Sequence, residues 1–197
     1  MGSIHRPPVS NLALGLVQAG GLKQFIETGT FRGDSLRWAS EHFERVWTIE
    51  ISAQYQEEAK ASVGALPNVE FVLGNSADHL GRICGGLTGP SLFWLDAHAG
   101  AGFFGSDDNC PLLAELEACL AQAAAGHCLL IDDARAFVAP PPPPFDHRKW
   151  PSLDEVMAVI LRRGGYHVAV ISDVMAVVPV ALRDVVARYA FQVRPKI

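Results

Sequence analysis

Five polar residues close the apolar runs of this chain. Glu27 follows Leu22-Lys-Gln-Phe-Ile, Glu50 follows Arg45-Val-Trp-Thr-Ile, and Asn75 comes just after Val69-Glu-Phe-Val-Leu73. Asp96 follows Ser91-Leu-Phe-Trp-Leu, and Asp132 follows His127-Cys-Leu-Leu-Ile. Four of the five are acids. A carboxylate at the end of a buried strand accepts hydrogen bonds from ligand hydroxyls, pairs with an ammonium group, or takes a proton. The plain structural alternative is that these acids cap the helices that follow.

The first turn reads Glu27-Thr28-Gly29-Thr30-Phe31-Arg32-Gly33. Its glycines allow tight turning and close approach of a ligand. This is not the GxGxxG pattern that seats a pyrophosphate on a helix N-terminus, and an acid before the first glycine repels phosphate but suits an amino group. Glu50 stands roughly twenty residues further on, where an acid accepts from the two hydroxyls of a ribose. That supports an adenosine ligand without choosing between a nicotinamide dinucleotide and S-adenosylmethionine.

A second group lies at the next two strand ends, Asp96-Ala-His98 and Asp132-Asp133-Ala-Arg135. Neighbouring strands lie ~4.8 Å apart, so three carboxylates can converge there. Hard oxygen ligands suit Mg²⁺. Without a cation the three repel and at least one pKa rises. Asp133 as a cap for the next turn, and Asp96 touching a ligand without metal, stay open. His98 opens the glycine-rich stretch Ala99–Gly105 and reads as a site residue, whereas His127 begins a strand and reads as structural. The loop Ala99–Asn109, with Phe103, Phe104, Asp107 and Asp108, suits a lid. Pro140–Pro144 with Arg135, Phe145, His147, Arg148 and Trp150 offers either an acceptor pocket or a surface loop stiffened by proline.

Together the Glu27-x-Gly29-x-x-x-Gly33 turn, Glu50, Gly74-Asn75-Ser76, Asp96 and Asp132-Asp133 resemble the class I S-adenosylmethionine-dependent methyltransferases, from about Leu22 to Val180. The two aspartate segments are most similar to the metal-dependent, macrocin-type small-molecule O-methyltransferases. The resemblance implies that Glu27 and Gly29 line the methionine end of the cofactor, with Thr28, Thr30 and Gly33 completing the turn. It implies that Glu50 holds the ribose, that Asn75 and Ser76 face the adenine, and that Asp96 reaches the cofactor. Asn75 stands where the family often has Asp, a change that keeps an acceptor oxygen. Asp96, Asp132 and Asp133 would hold Mg²⁺ or another divalent cation. His98, in the place of a second acid, would act with Asp96 on the proton of the acceptor.

The elements that must position these residues alternate. Helical patterns run over Ser10–Gly20, with Ser10 as cap and Leu12, Leu16 and Ala19 on one face, then over Asp34–Phe43, Ser52–Ser62, Ser76–Ile83 and Pro111–Ala125. Ser152-Leu-Asp-Glu155 is a capping box that opens a helix to about Arg163. Tyr166–Ile171 and Val174–Val180, joined at Ser172-Asp173, read as an antiparallel pair. Leu182–Ala190 reads as a last helix, on an exposed edge or against a partner subunit. The expected fold is therefore α/β: a Rossmann-like, doubly wound, mostly parallel seven-stranded sheet with a C-terminal antiparallel hairpin, in one domain over residues 1–197.

With 197 residues and a net charge of -5, the chain suits one full-sized core and offers no basic, aromatic-laced surface for nucleic acid. No apolar stretch reaches the ~20 residues that span a bilayer, and no signal-peptide pattern opens the sequence, so the expectation is a cytoplasmic protein without a membrane partner. Cys84, Cys110, Cys119 and Cys128 have no zinc-like spacing and read as reduced core thiols. A small-molecule acceptor and a possible homodimer complete the picture. Two readings compete with methyl transfer: an NAD(P)-dependent oxidoreductase and a non-catalytic nucleoside-binding protein.

Overall fold

A computed structural model describes residues 3–98, 110–121, 125–139 and 146–190, with the backbone alone at position 147. Chain order begins with α1 (Val9–Gly20), β1 (Gln24–Thr28), α2 (Leu36–His42), β2 (Arg45–Glu50), α3 (Ala53–Val63), β3 (Val69–Leu73) and α4 (Ser76–Gly85). It continues through β4 (Ser91–Leu95), α5 (Leu112–Leu120), β5 (Cys128–Ile131), α6 (Ala134–Val138), α7 (Leu153–Arg163), β6 (Tyr166–Ile171), β7 (Val174–Pro179) and α8 (Arg183–Ala190).

The strands form one seven-stranded sheet in the order β3-β2-β1-β4-β5-β7-β6. β1 pairs in parallel with β2 and β4, and β5 continues the parallel run beside β4. β7 runs antiparallel to both β5 and β6. This is the expected Rossmann-like architecture, and its physical signature is burial on both faces: every residue of β1, β4 and β5 is buried. Two apolar layers result. Leu12 and Leu16 of α1, Leu36 of α2, Val63 of α3 and Val186 of α8 pack on one face. Leu80 of α4, Leu116 of α5, Phe137 of α6 and Ile160 of α7 pack on the other.

Local signals account for most boundaries. The Ser52 hydroxyl accepts the Tyr55 N–H at the start of α3, and Asn75 does the same for Ala77 at the start of α4. The expected capping box is formed at α7 by Ser152 and Glu155. α1 differs from its expectation. Pro8 takes the cap position, Ser10 is buried inside the first turn, and Leu12, Ala13 and Leu16 face the core while Ala19 is exposed. α5 ends at Leu120, short of the expected Ala125, and part of the difference lies outside the described residues.

Two elements depart further. α6 appears where irregular chain is expected, because Ala134 and Phe137 bury themselves behind β5. α8 packs against α1 of its own chain, so its apolar face is already covered. All four cysteines are buried and unlinked. Among the described residues no helix is long and apolar enough to cross a membrane.

Candidate active site at the carboxyl ends of the central strands

The order β3-β2-β1-β4-β5 means that chain connections leave β1 in one direction and β4 in the other. The crevice above such a reversal is where open α/β sheets bind ligands. Backbone bonds continue the ladders one residue past the strands. Gly29 N–H donates to Ile49 C=O, Gly74 N–H to Glu50 C=O, Asp96 N–H to Thr28 C=O and Asp132 N–H to Leu95 C=O. All the strand-end residues singled out in the sequence therefore stand along one rim.

The turn after β1 is fixed by sterics. Gly29 has φ +82°, and a Cβ there would collide with the main-chain carbonyl of Asp96. A glycine here is required for the close approach of two strand ends. Gly33, at φ +75°, packs against Ala59 and Val63 of α3, so it too has a packing reason. The Thr28 hydroxyl accepts the Asp96 N–H at 3.3 Å and ties β1 to β4.

Glu27 lies beneath this turn, only 1% exposed. Its carboxylate accepts the Ser35 hydroxyl and, at 2.8 Å, the Thr48 hydroxyl, and Thr48 also bonds Thr30. Burial raises its pKa from 4.5 to about 7, against the pull of those two hydroxyls and with help from the charges of Glu50 and Asp34. Glu27, Thr28 and Thr30 thus form a buried polar knot, and none of the three opens widely on the rim.

Glu50 is buried as well, but its partners differ. Its Oε2 accepts the Phe31 N–H at 2.8 Å and its Oε1 accepts the Ser52 N–H at 2.9 Å. Phe31 sits at φ +46°, a backbone conformation unusual outside glycine, and its ring lies against Tyr55. Each oxygen has taken one backbone donor and keeps acceptor capacity, so the carboxylate is pre-oriented for two further donors such as vicinal hydroxyls. Beside it, Asn75 Oδ1 accepts the Ala77 N–H at 3.1 Å, so the acceptor expected to face a base is engaged in capping. Ser76 is buried, and among the described residues its hydroxyl has no hydrogen-bond partner. A buried hydroxyl in that state calls for a ligand or water.

On the other side of β1, Asp96, His98 and Asp133 come together. His98 Nε2 lies 3.5 Å from Asp96 Oδ1 and 4.0 Å from Asp133 Oδ2, and the His98 side chain is 7% exposed. Burial lowers the His98 pKa, partly offset by Asp133. The ring rests on Trp150, with centroids 5.3 Å apart. A third of the Asp96 side chain meets solvent. Even so, burial and then the carboxylates of Asp132, Asp133 and Glu27 hold its pKa well above the usual carboxylate range. Neighbouring carboxylates thus add to the effect of burial on Asp96.

The expected metal centre is not assembled. Among the described residues no group of three His, Cys, Asp or Glu side chains is arranged to hold a metal ion. Asp132 is buried, and Asp133, at the cap position of α6 with φ 49° and no side-chain cap bond, is engaged by Arg135 at 3.1 Å. As placed, Asp96, Asp132 and Asp133 do not fit Mg²⁺.

Of the residues expected to form an acceptor pocket, Trp150 and Arg135 adjoin this cluster, whereas Arg148 pairs locally with Asp146 at 2.9 Å on the surface. The Ala99–Asn109 loop, Pro140–Pro144, Phe145 and the His147 side chain lie outside the described residues. His127 is structural, its Nδ1 accepting the Ser91 N–H at 3.2 Å. The sequence reading missed Ser35 and Thr48, the partners of Glu27, and Asp173, which binds Arg135. Only the position of Asp173 in a recognisable turn hinted at it.

The sequence matches no family model and no curated protein. Its fold matches many solved structures. An S-adenosylhomocysteine-bound protein of Streptococcus mutans, assigned as a methyltransferase, is 15% identical with a TM-score of 0.61, over 88% of this chain and 98% of that one. A protein of Staphylococcus aureus, assigned as a caffeoyl-CoA O-methyltransferase, is 16% identical with a TM-score of 0.56, over 85% and 81%. An S-adenosylmethionine-bound amino pentose methyltransferase of Micromonospora echinaspora is 12% identical with a TM-score of 0.56, over 89% and 92%. The chain therefore has the Rossmann-like fold of the S-adenosylmethionine-dependent methyltransferases.

Proposed function

We propose that this protein binds S-adenosylmethionine at the carboxyl end of its sheet and transfers the methyl group to an oxygen of a small-molecule acceptor. The observation that carries the reading is Glu50: a carboxylate at the end of β2 that two backbone N–H groups hold in place and that keeps acceptor capacity for the hydroxyls of a ribose. Glu50 and Asp96 flank β1 on either side, so they stand two strand spacings apart, roughly 10 Å. That span suits a ligand with its adenosine over β2 and β3 and its sulfonium near β4. Asn75 and the unpartnered Ser76 hydroxyl adjoin the base, and the Glu27–Gly29 turn underlies the methionine end. The S. aureus and Micromonospora proteins, whose names point to acceptors smaller than a macromolecule, support the acceptor class.

His98 and Asp96 handle the proton in this reading. A histidine with a lowered pKa is neutral near pH 7 and able to accept one. The acceptor oxygen attacks the methyl carbon, the carbon–sulfur bond breaks, and its electron pair stays on sulfur as S-adenosylhomocysteine leaves. The oxygen's proton passes to the His98 imidazole. Each of these steps is carried by side chains of the chain itself.

A thermal-shift titration with S-adenosylhomocysteine and with NADH tests the cofactor. At 100 times its Kd a ligand adds about 2.7 kcal/mol, which raises the Tm of a chain of this size by roughly 5–10 °C. We expect that rise with S-adenosylhomocysteine and none with NADH. A rise with NADH alone would favour the oxidoreductase.

A further inference from the structure

Arg135 joins two parts of the chain that are far apart in sequence. Its Nη2 lies 3.1 Å from Asp133 Oδ1 and its Nη1 2.9 Å from Asp173 Oδ2. Its backbone N–H donates to Asp173 Oδ1 at 3.0 Å, and the Ala134 N–H donates to Asp173 C=O at 2.9 Å. The β6–β7 turn is thereby docked on the end of β5. Asp133, Ser172 and Asp173 have φ of 49°, 49° and 69°, three of the four positive-φ positions outside glycine among the described residues. Such backbone persists only where its surroundings over-determine it, and here two of the three, Asp133 and Asp173, bind one guanidinium. Arg135 is itself exposed, and a lone surface ion pair would hold little. This one is a fork shared by two carboxylates, with one backbone N–H fixing the second carboxylate and another holding that residue's main-chain carbonyl.

We propose that Arg135, positioned by Asp173, is the built-in cation of the acidic rim and takes the place a divalent metal would otherwise fill beside Asp96, Asp132 and Asp133. The guanidinium holds Asp133 Oδ1 while Oδ2 faces His98, and its charge lowers the rim's attraction for a second cation. Arg135 is a positioning residue: it sets the direction of Asp133, which lies 4.0 Å from His98. The inference deepens the proposed function by making its site metal-independent, and it rests on that reading only for the catalytic consequence.

The test is Mn²⁺ binding followed by electron paramagnetic resonance on the full chain, with circular dichroism to confirm folding. Wild type should show no saturable binding at sub-millimolar Mn²⁺. Arg135→Gln should bind Mn²⁺ at least about tenfold more tightly, and adding Asp133→Asn should abolish the gain. Asp173→Asn, which leaves the arginine but loosens its anchor, should move the same way by a smaller factor. Saturable wild-type binding that Asp133→Asn removes would overturn the proposal, as would an Arg135→Gln protein that is folded and binds no more tightly than wild type. Calorimetry with S-adenosylhomocysteine in EDTA reports separately on the cofactor: no binding there sinks the methyltransferase reading and leaves the Mn²⁺ result to judge Arg135.

Discussion

Glu27 is an acid removed from water and compensated by two hydroxyls, Ser35 and Thr48. Its folded pKa of about 7 lies above the ordinary 4.5, so the folded state holds its proton more tightly than the unfolded one. Stability from this group is greatest below pH 4.5, falls as pH rises toward 7, and is flat above; the full span is ~3 kcal/mol. Glu27→Gln removes the dependence. Calorimetry at pH 5 and pH 8 should show the variant gaining on wild type at the higher pH, and an equal difference at both would refute the assignment. Gly29→Ala places a Cβ against the Asp96 carbonyl in left-handed backbone. It should cost more than ~2 kcal/mol and lower Tm by at least several degrees; an unchanged Tm would mean the β1 and β4 ends are not in contact. The positions of Glu27, Glu50, Asp96 and Asp132 at strand ends were legible because each ends an apolar run. Their partners were not, since Thr48 lies 21 residues from Glu27 and Asp173 lies 38 from Arg135.

At the scale of elements, local chemistry that names its own position reads well from sequence. The Ser152–Glu155 capping box is an example, with the Ser152 N–H donating to Glu155 Oε2 at 2.8 Å. Ser152→Ala should cost about 1 kcal/mol and lower Tm by roughly 2–4 °C, readable by differential scanning calorimetry; no change would mean the cap does not hold α7. β2, β3 and β6 were legible to the residue because alternation and burial stop where turn residues begin. Elements set by tertiary contact were not. α6 is five residues long and has no periodicity to detect; it exists because Phe137 fills the layer under Trp150. Ser10 carries cap chemistry, but Pro8 starts the helix earlier and carries Ser10 inside. α8 finds its partner in α1 through Val186 and Tyr189, and the Tyr189 ring lies over Gly15. A sequence window holding only one of those segments cannot show that pairing.

At the scale of the molecule, one topological fact organises the chemistry: β1 lies centrally, between β2 and β4, and its turn is flanked by Glu50 on one side and Asp96 on the other. Alternating strands and helices made a doubly wound, mostly parallel sheet readable in advance, and so was the antiparallel pair that closes it; the strand order itself was not. The electrostatic economy of the rim was not readable. Three aspartates in sequence look like a metal centre, and it takes the hairpin turn to reveal that one of them, Asp133, is already paired with a guanidinium that Asp173 holds. The central claim is that Glu50 holds the ribose of an adenosyl ligand, and isothermal calorimetry tests it most directly. Wild type should bind S-adenosylhomocysteine with a Kd on the order of micromolar, and Glu50→Ala, still folded, should bind about 100-fold more weakly through loss of charge-assisted hydrogen bonds. No heat of binding to the wild type, or equal affinity in the two proteins, would contradict the account.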